Sequence, residues 1–178
     1  DPHAQNEAFN NTANSYVYEA LLNLNKGKVQ PCLAESWTSV PEGFVFKLRK
    51  GVKFHEEEPL TAEDVAFSIN RALHPISQFK TFTAGILGAE ALPNGDVLIR
   101  TINHSPVLLN QLAYLRILNK AWAEKHGAAA PQNFVAKEEA YAANTQTAPA
   151  LSNFSLVKSI SKQFLLKILI GGIKPIKS

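Results

Sequence analysis

The chain has 178 residues, 46% of them apolar, which is enough for one ordinary domain or two small ones with a folded core and excludes a disordered tail or a collagen-like repeat. Its formal charge of +3 is concentrated at one end: all 15 acidic residues precede Thr145, whereas Lys158, Lys162, Lys167, Lys174 and Lys177 follow it. Removing those five lysines from the 18 basic side chains leaves 13 against 15 acidic ones in the first 144 residues, a formal −2, so no nucleic-acid partner is expected.

In chain order, Val17, Ala20, Leu21 and Leu24 fall at i, i+3, i+4 and i+7 within Thr12 to Leu24 and predict a helix with one buried face, closed by a turn at "NKGK". From Ser36 to Phe54, Phe44, Phe46 and Leu48 alternate with Val45, Lys47 and Arg49, which predicts a strand pair turning at "PEG" with one apolar and one wet face. "PLTAEDVAFSINRAL" opens with Thr61 and, three residues on, Asp64, the start of a capping box. Val65, Ile69 and Leu73 then form a buried stripe that Pro75 ends. "PNGDVLIRT" predicts a turn at Asn94-Gly95 running into a strand. Ser105 and Pro106 read as N-cap and first residue of the next helix, and "NKAWAEKHG" as a further helix closing on Gly127. Strands and helices mixed without regular crossover units indicate an α+β fold.

Candidate chemistry is sparse. In "FHEEEP", His55, Glu56, Glu57 and Glu58 are metal-ligand types, but consecutive residues of an extended segment point to opposite faces, so a solvated turn is expected. His3, His74, His104 and His126 stand singly and read as surface or structural residues. Cys32, alone in the chain, excludes an internal disulfide and reads as a buried, inert thiol. Trp37 and Trp122 are assigned to the core. No nucleophile, base and orienting group can be assembled, so an enzyme is not expected, and no cofactor motif is present. There is no secretory leader pattern and no apolar run near the ~20 residues that span a bilayer, so any targeting segment is expected to have been removed or never included.

Several segments together resemble the extracellular solute-binding proteins of peptide- and nickel-type ABC importers. They are "DPH" at Asp1 to His3, "VYEALL" at Val17 to Leu22, "VQPCLAESWT" at Val29 to Thr38, and "FKLRKGVKFHEEEPLTAEDVAFSINRAL" at Phe46 to Leu73. The resemblance covers Asp1 to about Asn144 and implies part of a type II periplasmic-binding-protein clamshell. Residues 1–36 would be a piece of the first, hinge-side lobe, and 37–144 its small α+β subdomain. It further implies capture of di- and oligopeptides in the periplasm and delivery to an ABC permease in the inner membrane. Nickel chelates, haem and oligosaccharides are the alternative solutes within the family. Carried over by position, the ligand-contacting loop after "DPH" falls on Asn6, Glu7 and Ala8. Its alternative role is simply to begin the following helix. The sequence departs from the family at Glu57, where a glycine usually supplies a positive φ, and the family strand preceding "DPH" is missing. The second lobe is also absent, so the fragment is expected not to bind on its own and to be prone to self-association.

After Asn144 the resemblance lapses. In the family, the helix matching "EEAYAAN" leads into a Gly-Thr-Gly-Pro-aromatic loop, whereas this chain reads "TQTAPAL". Writing Asn144 to Ser152 as AAC ACA CAA ACG GCA CCG GCC CTT TCC and reading from the third base gives His-Thr-Asn-Gly-Thr-Gly-Pro-Phe. The same offset on Lys167 to Gly172 gives Asn-Pro-Asp-Trp-Trp, which resembles the family's next recognisable element. Residues 145–178 are therefore expected to be an out-of-frame tail. The rival reading makes the tail an interaction module, since a helix would place Phe164, Leu165, Ile168 and Leu169 on one side. Gly171-Gly172 and Pro175 break such a helix within two turns, so lipid binding is not expected.

Overall fold

The computed structural model describes residues 1–103 and 107–131. Among them run α1 (Ala8–Val17), β1 (Leu22–Asn25), β2 (Lys28–Pro31), β3 (Ala34–Val40), β4 (Gly43–Leu48), α2 (Ala62–Ala72), α3 (Lys80–Thr83), β5 (Ile86–Ala91), β6 (Val97–Thr101), α4 (Val107–Leu112) and α5 (Lys120–Lys125). Four strands form an antiparallel sheet in the order β3-β4-β6-β5, and β1 and β2 form a separate hairpin. The architecture is α+β, as the absence of strand–crossover alternation implies.

Alternation builds the sheet's inner face. Phe44 pairs with Ile99 and Phe46 with Val97 across β4 and β6, and all four side chains are buried. On α2, Val65, Ile69 and Ala72 share the same core cluster with Phe46, Ile86 and Ile99. Burying each large side chain of this kind contributes about 2 kcal/mol, so the cluster is the main source of stability. The expected hairpin turn lies between β3 and β4, where Gly43 takes φ +150° and a Cβ on it would stand 2.1 Å from the Ile99 carbonyl oxygen. Only a glycine lets the two backbones approach so closely.

Local signals elsewhere also match the structure. Thr61 Oγ1 accepts the Asp64 amide at 3.3 Å while Asp64 Oδ2 accepts the Thr61 amide at 2.9 Å, completing the capping box. Asn94-Gly95 turns into β6, and Asn119 Oδ1 accepts the Trp122 amide at 2.8 Å to cap α5, which Gly127 closes at φ +68°. Leu73 is half-buried, at the margin of its stripe. Ser105 and Pro106 lie outside the described residues, although α4 begins at Val107.

The helix expected over Thr12 to Leu24 is misplaced. α1 ends at Val17, Ala20 bridges to the distant Arg116, and the backbone after β2 bonds to the same stretch: Leu33 N–H donates to Ala20 O at 3.2 Å and Ala34 N–H to Leu21 O at 3.0 Å. Leu22 and Leu24 alternate with Asn23 and Asn25 in β1, and Lys26 and Gly27 both adopt positive φ, at 50° and 76°, which closes the hairpin to β2. Non-local pairing overrode a local helical period.

"FHEEE" is the expected solvated turn: Glu56, Glu57 and Glu58 are exposed, and Phe54 N–H donates to Glu58 O at 2.8 Å. Glu57 sits at φ 71°, so the residue departing from the family glycine occupies the left-handed region, aided by an exposed 3.1 Å contact with Lys53. Left-handed backbone costs a non-glycine residue roughly 1–2 kcal/mol, and the exposed ion pair returns little. Glu57→Gly should therefore raise the free energy of urea unfolding by about 1 kcal/mol, whereas Gly43→Ala should lower it by at least about 2 kcal/mol through the clash at Ile99. An unchanged midpoint in either variant contradicts the assignment of these two positions.

Candidate functional site

A second stripe runs along α2 beside its apolar one. Asp64, Ser68 and Arg71 recur at i, i+4 and i+7, and all three are buried. Asp64 Oδ1 accepts the Lys120 amide at 2.8 Å, and Ser68 Oγ accepts the Leu118 amide at 2.8 Å while donating to Asp64 O at 2.7 Å. These bonds fasten the segment entering α5 to α2.

Arg71 completes the stripe. Its Nη1 and Nη2 donate to Asp1 Oδ1 and Oδ2 at 2.8 and 2.6 Å, a bidentate pair with both side chains withdrawn from solvent. Nε donates to Ala128 O at 2.9 Å and Nη2 also to Ala130 O at 3.1 Å. Burial pulls the guanidinium down to about 10, which leaves it cationic at neutral pH. His3 extends the network: Nε2–H donates to the Arg116 carbonyl at 2.9 Å, and Nδ1, facing Arg71 Nη1 at 3.2 Å, accepts. These partners assign the neutral Nε2–H tautomer. Burial, and next the Arg71 charge, hold His3 well below its usual 6.5. Ser77 Oγ donates to His3 O at 2.8 Å, and Phe79 meets the imidazole edge-on. Asp1 to Ala4 is thereby fixed to the C-terminal half of α2 and the turn after it.

From this anchor the chain emerges at Asn6, Glu7 and Ala8, the residues expected to contact ligand. Asn6 and Glu7 lead into α1, and Ala8 is its first residue. Asn6 N–H donates to Gln78 Oε1 at 3.3 Å, and Asn6 Oδ1 accepts from Asn11 Nδ2 at 2.8 Å. Glu7 is the N-cap residue without a side-chain capping bond, and Glu7, Ala8 and Phe9 are exposed. Glu7 thus presents a carboxylate at the positive end of the helix. The segment begins α1, the other role expected for it. Gln78 joins the three residues from a loop that sequence reasoning did not single out. Arg71 was missed too, although the polar i, i+4, i+7 recurrence on α2 was a readable signal.

The other singled-out residues are dispersed. Cys32 is half-buried rather than buried; its thiol donates to Glu19 Oε1 at 3.7 Å, and burial pushes both groups up, which disfavours a reactive thiolate. Trp37 packs partly buried on the core, and Trp122 is buried and stacks on the exposed His126. His74 is half-buried with Nδ1 accepting the Ile76 amide, and His104 lies outside the described residues. Among the described residues no three His, Cys, Asp or Glu side chains gather as a metal site, and no helix is long and apolar enough to cross a membrane.

The family model for bacterial extracellular solute-binding proteins, family 5 (middle), matches residues 28–152, and the chain belongs to this family. Heme-binding protein A of Haemophilus influenzae is 38% identical over 85 residues, covering 42% of this chain and 16% of that protein. Glutathione-binding protein GsiB of Escherichia coli K12 is 28% identical over 134 residues, covering 71% of this chain and 26% of GsiB. Among solved structures, the binding protein MoaA of A. tumefaciens R10 in complex with mannopinic acid superposes with a TM-score of 0.64 at 32% identity, over 71% of this chain and 28% of MoaA. H. influenzae OppA in complex with the peptide RPPGFSPFR shares the fold at TM-score 0.67 and 24% identity, over 79% of this chain and 31% of OppA. These relatives are solute-binding proteins, and the chain spans about a quarter of the length of GsiB and of MoaA. The fold is accordingly part of a periplasmic-binding-protein lobe.

The buried imidazole makes stability depend on pH. His3 is neutral in the fold but titrates near 6.5 when unfolded, so the unfolded chain takes the extra proton first. Its contribution is complete above that pH and is lost as pH falls below it. The urea midpoint should drop between about pH 6.5 and 5, and His3→Asn should flatten that drop; an equally steep fall in the variant would exclude His3 as its source.

Proposed function

We propose that this chain carries part of the first lobe of a periplasmic peptide-binding protein, the substrate-binding component of an ABC importer. In such a protein the lobes close over an extended di- or oligopeptide and deliver it to a permease in the inner membrane. The observation that carries this reading is the family match across residues 28–152 on a fold shared with solute-binding proteins. Closure is driven by contacts made only in the closed state, which shift a hinge equilibrium, and an extended peptide is held mainly through its main chain. Asn6, Glu7 and Ala8 form one wall of the contact. The exposure of Glu7 and Ala8 at the start of α1, shortly after the Asp1–Arg71 anchor, supports that role. Residues 1–36 belong to the hinge-side lobe and 37–144 to its small subdomain; the division falls inside β3, so the two pieces share a strand. No reaction, cofactor or nucleic acid is involved.

Residues 145–178 lie outside the described residues, and we read them as an out-of-frame tail. Sequencing the gene around the Asn144 codon tests this: the third bases must spell the Gly-Thr-Gly-Pro-aromatic loop and the Asn-Pro-Asp-Trp-Trp element in one frame. Third bases that spell neither end the proposal. In this reading these residues form one side of a cleft, so calorimetry of this segment with mixed di- to pentapeptides should give no saturable heat. Micromolar binding there would contradict the assignment of the segment to one lobe.

The 38% identity to a heme-binding protein favours haem as the second reading of the ligand class. A Soret shift on adding haemin, without any response to peptides, would select it.

A further inference from the structure

The rim strand of a sheet exposes a row of unpaired amide and carbonyl groups that invites another strand. Among the described residues β5 is such a rim strand, the last in the order β3-β4-β6-β5. On its free side stands Asn70 of α2, which donates from Nδ2 to Ala89 O at 2.8 Å and accepts the Ala89 amide on Oδ1 at 2.9 Å. One side-chain amide thus makes both bonds that a residue of an adjoining antiparallel strand would make. Asn70 is exposed and lies outside the apolar stripe of α2, and asparagine is a poor helix former, so neither core packing nor propensity accounts for it. Gly88 accommodates the amide, since a Cβ there would already stand 3.4 Å from Asn70 Oδ1. β5 also carries a register shift between Ile86 and Gly88, a second feature that interrupts a rim.

The rim is otherwise suited to pairing. Leu87 is 63% exposed, and the two-residue strand period places Ala91 on the same edge as Ala89. An antiparallel edge is self-complementary: two copies related by a two-fold axis satisfy each other's Ala89 and Ala91 groups at once. The other rim, β3, exposes Glu35, Ser36, Thr38 and Ser39 and is the more polar of the two.

We infer that Asn70 is a guard residue, its amide standing in for a strand and closing the β5 edge to pairing with a second copy of this chain. Removing the amide opens that edge, and Asn70→Ala associates through β5.

Sedimentation of the full chain across a concentration series, with hydrogen exchange read at individual amides, tests this. In the parent, Ala89 should be protected equally at every concentration. In Asn70→Ala, Ala89 should exchange freely when dilute and regain protection together with Ala91 as the protein associates beyond the parent's level. Adding Leu87→Lys should abolish that extra association. Asn70→Asp keeps the side-chain size and the bond from the Ala89 amide but loses the donor to Ala89 O, so it should associate more than the parent and less than Asn70→Ala. If Asn70→Ala sediments as the parent does throughout, or associates while Ala91 stays unprotected, the inference fails. If Asn70→Ala does not fold, the Asn70→Asp comparison decides: no association beyond the parent overturns the guard role.

Discussion

One buried side chain, Arg71, joins the two ends of the described part of the chain, Asp1 and the segment at Ala128 to Ala130. An ion pair withdrawn from water is costly, and it persists only where both partners are fully hydrogen-bonded. Here the guanidinium reaches both oxygens of Asp1, the carbonyls of Ala128 and Ala130, and the ring of His3. The chain start, the turn beyond α5 and the helix that carries the apolar core are thereby fixed to one another. Ser68 and Asp64, one and two turns earlier, extend the same function to Leu118 and Lys120 respectively. α2 therefore works on two faces: an apolar one against the sheet, and a polar one that orders segments having no regular structure of their own.

That second face explains how a surface segment can be placed accurately. The backbone from Asn6 to Ala8 has few contacts beyond Gln78 and α1 itself. Its position is inherited from Asp1 to Ala4, which are buried and held by Arg71, Ser77 and Arg116. A binding segment on a loop becomes dependable when the residues beside it are locked by packing and hydrogen bonds.

What could be read in the sequence was mostly local. The Thr61–Asp64 box, the Phe44 and Phe46 alternation, the Asn94-Gly95 turn and the helix that closes on Gly127 each depend on neighbours within a few residues, and each is present. The helix placed over Thr12 to Leu24 failed because Ala20 and Leu21 pair with Leu33 and Ala34, contacts that no short window contains. The anchor was hidden for the same reason: Asp1 and Arg71 are 70 positions apart, and only their meeting makes either one notable. Asn6, Glu7 and Ala8 were reached through resemblance alone, since an asparagine, a glutamate and an alanine before a polar helix carry no chemical signature. The polar recurrence at Asp64, Ser68 and Arg71 was visible, but it became meaningful only once its partners were placed.

The central claim is that the Arg71 fork seats the chain start and, through it, the segment from Asn6 to Ala8. Residue-resolved hydrogen exchange of Arg71→Lys tests it most directly, because lysine keeps the charge and loses the fork. Protection should fall at the amides of Asn11 and Ala128, which report the first turn of α1 and the turn after α5, while Phe46 and Ile99 in the sheet keep theirs. Unchanged protection at Asn11 and Ala128, or an equal loss at all four, would contradict the account.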